Sequence, residues 1–460
     1  MHNYIINNKY RFLDDLFKFL RITSISSVDN FSKDIFKTVN FLKFFLLKLG
    51  FDKSFIIKNN KNPIIYSEKI INKNLPTVLL YGHYDVQSYN PYNLWDSDPF
   101  NPKIVNQKIF SRGSADDKGQ VFMHIKSFEV MLNNNCLPCN IKFLIEGEEE
   151  IGSESIINFL ENSDNTNILK SDSVIVSDTS LFSLNSPSIS VSLRGILSIE
   201  LDIINSDMDL HSGVYGGCVD NPIDVLCRIV SSLKSKINSI NIPGFYDNIL
   251  NISNIDKYYI NNLKFDLVSY KKLIGVSKLN GEFGYSNIER SSIRPSLDIN
   301  GIWGGYSGEG VKTILPSKAS VKISIRTVPN QNVKELKNLI IKHLSKEKFE
   351  GIKLNIKVCK SGSNAVLINN KSVAHIAAIN SFKDVWGKYP LFIKEGGSIP
   401  IISKFNEKMN ISPVMIGFGL STDLIHSPNE NFKLYNFFKG IDTIINFYKH
   451  FSELKKIEGN

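Results

Sequence analysis

Three short runs of aliphatic and β-branched residues, Thr77–Tyr81, Asn140–Ile145 and Ser173–Ser177, each end within a few positions of a histidine or a carboxylate. Runs of this length and composition read as strands buried on both faces, the usual state of parallel strands. Around them, Gly119–Leu132 and Ser153–Leu160 carry apolar residues at helical spacing. The alternation predicts an α/β fold with a doubly wound, parallel or mixed sheet. Open sheets of that kind place their sites just beyond the carboxyl ends of strands. His83, the acids Glu148–Glu150 and Asp178 fall there.

At 460 residues the chain exceeds what one ordinary core accommodates. Helices are expected at Asp14–Leu20 and at Ser32–Leu49, the latter stopped by Gly50, and a strand at Ile64–Tyr66. The style changes near Pro187. Ser188–Leu193 and Leu197–Ile204 read as a strand pair around Arg194 and Gly195. Asn221–Lys234 and Val333–Lys346 read as helices, and Val321–Arg326 and Ile352–Val358 as strands. An inserted α+β domain with an antiparallel sheet and helices on one face fits this pattern. The stretch Asn241–Ile293 shows no clear periodicity. After Ser361 the α/β style returns, with helices at Val373–Trp386 and Phe432–Leu454 and a strand at Val414–Gly417. The expected division is therefore one interrupted domain, 1–187 and 361–460, with an insert at 188–360.

Composition narrows the function classes. The formal net charge is +9, but the lysines are scattered, often beside asparagine, and no arginine stripe interleaved with aromatics appears. General overuse of Lys, Asn and Ile explains the charge better than nucleic-acid binding. No apolar run is long enough to span a bilayer, and Met1–Arg11 lacks the apolar core of a signal peptide. The expectation is a soluble cytoplasmic protein with no membrane or nucleic-acid partner. Cys136, Cys139, Cys218, Cys227 and Cys359 form no disulfide framework; Cys136 and Cys139 lack a second pair and read as a loop.

The chemistry lies in five segments: Tyr81–Asp85, Gly113–Gly119, Glu146–Gly152, Val176–Asp178 and His426–Glu430. They supply carboxylates and imidazoles and no thiolate. That donor set belongs to a hydrolytic zinc, manganese or cobalt site and not to a structural zinc knot. The reaction it implies is metal-assisted attack of water on a polar bond. Taken alone, Glu148–Glu150 would read as a solvated acidic helix start.

Tyr81–Gln87 (YGHYDVQ), Arg112–Gln120 (RGSADDKGQ), Glu146–Ser153 (EGEEEIGS), Leu210–Gly217 (LHSGVYGG), Lys312–Pro316 (KTILP), Ile325–Asn330 (IRTVPN) and Glu395–Pro400 (EGGSIP) follow one another along nearly the whole chain. In these motifs and their order the sequence resembles the metallo-dipeptidase and aminoacylase superfamily of di-zinc exopeptidases, above all its carnosinase-type cytosolic dipeptidase branch. The resemblance implies a doubly wound catalytic domain interrupted by a lid and dimerisation domain. It implies a dipeptidase for substrates with a free C-terminal carboxylate, or, as the alternative, an N-acyl-amino-acid or succinyl-diaminopimelate deacylase. Two divalent ions per subunit are implied, zinc first, with manganese or cobalt possible. His83 and Asp178 would hold one ion and Glu150 and His426 the other, with Asp116 bridging both around a shared, activated water.

In the same resemblance, a pair of glutamates, one variable residue and a glycine set the register of the acidic run. Gly152 thus makes Glu149 the general base and Glu150 the ligand, and leaves Glu148 outside the metal shell. Asp85 would accept the second imidazole N–H of His83, and the Asp116–Asp117 peptide would be cis. His211 would reach the partner subunit's site in a homodimer and stabilise the oxyanion. Arg326 would hold the substrate carboxylate, with Thr313, Ser398, Gly396 and Gly397 lining the pocket. His124, His343, His375 and His450 lie on expected helices outside these motifs and read as structural.

Overall fold

The computed structural model describes the chain except residues 60, 251–252, 254–256, 258–259, 261–262, 264, 347–348, 360–361 and 459–460. It divides into two compact units. The first comprises Met1–Val191, Ile368–Ile393 and Ile401–Asn460, and the second Ser192–Leu367 with Lys394–Pro400. The short stretch 394–400 therefore groups with the second unit, although the chain around it belongs to the first.

The first unit is built on a mixed sheet. Its strands lie in the order Lys53–Ile57, Ile64–Lys69, Asn140–Glu146, Thr77–His83, Ser173–Val176, Val414–Met415 and Ser188–Leu193. Thr77–His83 is parallel to both Asn140–Glu146 and Ser173–Val176, and Ser173–Val176 is parallel to Val414–Met415. The outer pairs are antiparallel. Side chains alternate between the two faces. Val78, Leu80, Ile141, Phe143 and Ile175 enter one large core with the helices His2–Leu20, Ser32–Leu49, Lys118–Asn133, Val373–Trp386 and Leu434–Glu458. From the other face, Tyr81 meets Phe405 of the helix Pro400–Met409 at 5.5 Å, and Tyr66 reaches the Ile168 carbonyl at 3.0 Å. With both faces covered, the strands need apolar residues at every position, and the apolar runs of the sequence reflect this.

The first helix begins at His2, well before the expected Asp14. Its buried residues Ile5, Phe12, Leu13, Leu16, Phe19 and Leu20 share one face. The polar residues between Ile5 and Phe12 occupy the outer face and conceal the period. Among the described residues, no helix is long and apolar enough to cross a membrane.

In the second unit, the antiparallel strands Ser296–Gly304, Lys318–Thr327, Gly195–Ile204 and Lys353–Val358 lie in that order. Leu197, Ile199, Leu201 and Ile203 point to one face and pack with Val225, Leu226 and Ile229 of Pro222–Ser232 and Leu336 and Ile340 of Val333–Leu344. Asn221 and Asn332 cap the two helices by accepting from Ile223 N–H and Lys334 N–H. Among its described residues, the stretch without clear periodicity contains the short helices Leu267–Ile274 and Asn287–Ser292, the latter opened by a Ser286/Glu289 capping box.

One expectation fails. Ser188–Leu193 and the following strand do not pair with each other. The first joins Val414–Met415, and the second joins the strands of the antiparallel sheet. Gly195 is not a hairpin turn. A Cβ there would lie 2.3 Å from Thr327 Oγ1 and 2.4 Å from the Ser363 carbonyl oxygen, so glycine permits close packing in a continuing strand.

Gly119, in the first turn of Lys118–Asn133, lies against the loop carrying Asp116. A Cβ on it would sit 1.9 Å from the Ser114 carbonyl oxygen. Because the obstacle is backbone, Gly119→Ala must displace that loop. We expect it to lose about 1–3 kcal/mol, read as a lower urea midpoint at unchanged m-value; an unaltered midpoint would contradict this packing.

Candidate metal centre

The strand Thr77–His83 delivers His83 at its carboxyl end, and the neighbouring parallel strands lead into Glu148–Glu150 and Asp178. Asp116 comes from the loop before Lys118–Asn133, and His426 from the loop before the strand Asn431–Lys433. The structure brings these residues into two groups, His83–Asp116–Asp178 and Asp116–Glu150–His426. The potential ligand atoms within each group all lie within 4.8 Å of one another.

Asp116 is common to both. Its Oδ1 is 3.0 Å from His83 Nε2, and its Oδ2 is 2.9 Å from His426 Nε2. His426 Nε2 is also 3.1 Å from Glu150 Oε2, and His83 Nε2 is 3.8 Å from Asp178 Oδ2. The Asp116–Asp117 peptide is cis.

Burial disfavours the charged form of every acid here. Asp178 is pushed well above its ordinary pKa by burial and then by Asp116. Glu149 is raised by burial and, against His83, by Glu150 and Asp116. Glu150 is raised by burial and by Asp116. Burial likewise lifts Asp117 to about 8. Burial also opposes charge on His83 and His426, but hydrogen bonds to Asp116 and a second carboxylate outweigh it. They hold His83 well above its usual value and His426 at about 10. This pocket of acids favours positive charge wherever two sets of lone pairs converge. Hard and borderline donors, one carboxylate with an oxygen for each set, and no thiolate fit a pair of divalent cations.

The supporting contacts are more extensive than the sequence indicated. His83 Nδ1 lies 3.0 Å from the Asp85 carbonyl oxygen and 3.3 Å from Asp85 Oδ1, which aims Nε2 at Asp116. The Asp85 carboxylate also accepts the backbone N–H groups of Glu149 at 3.3 Å and Glu150 at 3.2 Å. Gln87 donates to Glu150 Oε2 at 2.9 Å. Glu148 is buried and caps the following helix, accepting from Ser155 N–H at 2.9 Å and Ser155 Oγ at 2.6 Å. Glu430 carries a role not recognised in the sequence. It accepts from Arg112 Nη1 and from the N–H groups of Gly113 and Ala115, each at 2.9 Å, and of Asp116 at 3.2 Å. Its closeness to His426 and its acidity were visible, but its contacts lie more than three hundred residues away in the chain.

The other candidate residues lie in the second unit. Arg326, near the end of Lys318–Thr327, donates from Nη1 to Ser398 Oγ at 2.7 Å. Gly396 and Gly397 precede that serine in the same turn. His211 is exposed, and its Nδ1 accepts from Gly213 N–H at 3.0 Å. Thr313 sits beside it, its carbonyl accepting from Ser212 N–H at 3.0 Å. His124 and His375 are buried, with burial lowering their pKa values to about 3 and about 4. All five cysteines are free thiols.

Glu430→Ala would leave Arg112 and three loop amides without their acceptor. Removing one partner of a buried pair costs about 3–5 kcal/mol. Loss of an outer support weakens metal affinity about 10–100-fold, to be measured by competition with a chromogenic chelator. Unchanged affinity would mean that the Asp116 loop keeps its shape without Glu430.

Known proteins share both the fold and the site-bearing sequence. The chain is 30% identical to a Cys-Gly metallodipeptidase of Candida albicans over 95% of its own length and 93% of that protein's. The structure of human carnosine dipeptidase 1 superposes with a TM-score of 0.86 at 27% identity, covering 98% of each chain. A metallo-carboxypeptidase from Sulfolobus solfataricus superposes with a TM-score of 0.87 at 33% identity, covering 96% of this chain and 99% of that one. Residues 79–450 match the family described as Peptidase family M20/M25/M40, and the chain belongs to that family of metal-dependent hydrolases.

Proposed function

We propose that the chain is a metal-dependent dipeptidase for substrates with a free C-terminal carboxylate, working as a cytoplasmic homodimer with two divalent ions per subunit, zinc foremost. The observation that carries this reading is Asp116, which offers one oxygen to the His83 group and the other to the His426 group. His83 and Asp178 would hold one ion and Glu150 and His426 the other, with Asp116 contributing to both. Bound there, the ions would supply Lewis acidity and make a water more acidic.

The chain's own residues do the rest. Glu149 removes a proton from the attacking water. The new C–O bond forms as the peptide carbonyl's π electrons move to its oxygen. Glu149 then passes that proton to the amine nitrogen as the oxyanion's electron pair re-forms the carbonyl and the C–N bond breaks, its electrons leaving on nitrogen. Asp85 fixes the backbone of Glu149 and Glu150 and the ring of His83 together, so base and ligands share one anchor. Arg326, seated on Ser398, holds the C-terminal carboxylate through its planar fork; Thr313, Gly396 and Gly397 complete that pocket.

His211 stabilises the oxyanion in the partner's site. Its exposure supports this, as does the exposure of Val214, Tyr215 and Val219 just beyond it, the kind of apolar surface that subunits cover. The free thiols fit a reducing compartment. The relatives named for Cys-Gly and for carnosine favour dipeptides over acylated amino acids.

The test is hydrolysis of a panel of dipeptides, one tripeptide, and N-acetyl and N-succinyl amino acids, after chelation and return of zinc, manganese or cobalt. Metal-restored dipeptide cleavage is expected, with Glu149→Ala slower by at least about 10²–10⁴-fold. Cleavage of acylated amino acids alone would make the protein a deacylase. A second expectation is that His211→Ala lowers kcat by about 10²–10³-fold with metal content intact; normal turnover in that variant would remove His211 from the mechanism.

A further inference from the structure

Arg194 packs against the turn that presents Ser398 to Arg326. Its backbone N–H donates to the Gly397 carbonyl at 3.1 Å, and its Nε–H to the Gly396 carbonyl at 2.9 Å. Its Nη1 reaches the carbonyls of Arg290 at 3.3 Å and Arg294 at 3.4 Å. A Cβ on Gly396 would stand 2.3 Å from the Ser291 carbonyl oxygen and 3.2 Å from Arg194 Nη2. The turn is therefore packed closely on both Arg194 and the end of the helix Asn287–Ser292. Ser398, one residue beyond these contacts, then meets Arg326 Nη1 at 2.7 Å.

The charge of Arg194 is also unusual. Among the described residues, each hydrogen bond of its guanidinium goes to a neutral carbonyl, and none goes to a carboxylate. Burial, followed by the positive charge of Arg326, lowers its pKa to about 10 against the opposing charge of Asp298, so it remains a cation at neutral pH. Two guanidiniums within electrostatic reach of each other, with Asp298 offsetting part of the charge of Arg194, form a place where a further anion relieves repulsion. Arginine suits this role because a single planar group can donate along several directions at once.

We propose that Arg194 is a positioning residue for substrate specificity: it holds the Gly396–Ser398 turn against Arg326 and adds the second positive charge that makes the pocket select a carboxylate. The inference rests on the reading of Arg326 as the group that holds the substrate's C-terminus. Arg194 does not touch the reacting atoms, so its influence belongs in KM and in the choice between a charged and a neutral C-terminus. It does not belong in the proton transfers made by Glu149.

The experiment compares a dipeptide with its C-terminal amide on the metal-loaded full-length enzyme, taking kcat and KM for each. The wild type is expected to prefer the free acid. Arg194→Gln removes charge and fork. It is expected to raise KM for the acid about tenfold, hold kcat within about threefold, and cut the acid-over-amide preference by about the same tenfold. Arg194→Lys, which keeps charge but not the fork, should fall between. Arg326→Lys should shift the preference in the same direction. A merely structural role would lower activity on acid and amide alike, leaving the ratio unchanged, and that result overturns the proposal.

Thermal unfolding accompanies each variant. If Arg194→Gln does not fold, Gly396→Ala disturbs the turn where it packs on Ser291 and Arg194 and must lower the same ratio. A retained ratio in that variant overturns the proposal equally. The two readings fail differently. A wild type that cleaves no dipeptide, or shows no preference for the acid, defeats the assignment of function and with it this one. A wild-type preference lost in Arg326→Lys but kept in folded Arg194→Gln defeats only the role of Arg194.

Discussion

The first unit is organised around a cost: several carboxylates are gathered in one partly buried place. Asp116, Glu149, Glu150 and Asp178 lie within reach of one another, with Asp85 and Asp117 just behind. Like charges in a medium of low polarisability repel strongly, and burial alone already disfavours their charged forms. A fold that holds such a cluster must fix each group by hydrogen bonds to the surrounding chain. The cluster then becomes a ready-made acceptor for multiply charged cations.

These supports join several site segments at once. The Asp116 loop is held by Glu430, which joins three of its amides to the Arg112 guanidinium. Its rear is pressed against Gly119 at the start of the next helix. His83 is held by Asp85, and the same carboxylate holds the backbone that carries Glu149 and Glu150. Gln120 ties the Ala115 carbonyl to the backbone N–H of Phe418, ahead of the His426 loop. The ligand-bearing segments come from distant parts of the sequence, but each is anchored to rigid strand ends or helix starts.

Much of this was legible in the sequence because the sheet is covered on both sides. Fully buried strands need uninterrupted apolar runs, so Thr77–His83, Asn140–Glu146 and Ser173–Val176 stood out, and the acids at their ends with them. The half-exposed elements were harder. The first helix hides its period behind the polar residues between Ile5 and Phe12, and the pairing of Ser188–Leu193 depends on partners more than 170 residues away. Supporting contacts were the least legible. Nothing local distinguishes Glu430, which organises a distant loop, or Arg194, whose partners are carbonyls contributed by three separate positions. Hydrogen bonds to backbone leave no residue-type signature on the acceptor side, and sequence reasoning has no purchase on them.

The three consecutive glutamates show how backbone geometry separates chemistries that composition would merge. Glu149–Ile151 form one turn of 3-10 helix, closed by Gly152 at a φ of 101°. Such a turn has about three residues per revolution, so successive side chains diverge by about 120°. Glu150 thereby faces His426, while Glu149 comes within electrostatic reach of His83 and Asp116. Glu148, just before the turn, points away and caps the next helix through Ser155. An extended strand would have placed Glu148 and Glu150 on one face and Glu149 on the other. A regular α-helix would have spread the three across one broad arc with a longer reach to the strand ends. The tight turn lets Glu149 and Glu150 face different neighbours without competing for the same space, and the two Asp85 hydrogen bonds to its first two amides keep it tight. The glycine that ends the turn supports this arrangement: a residue that resists positive φ at 152 would strain the backbone that positions the two glutamates.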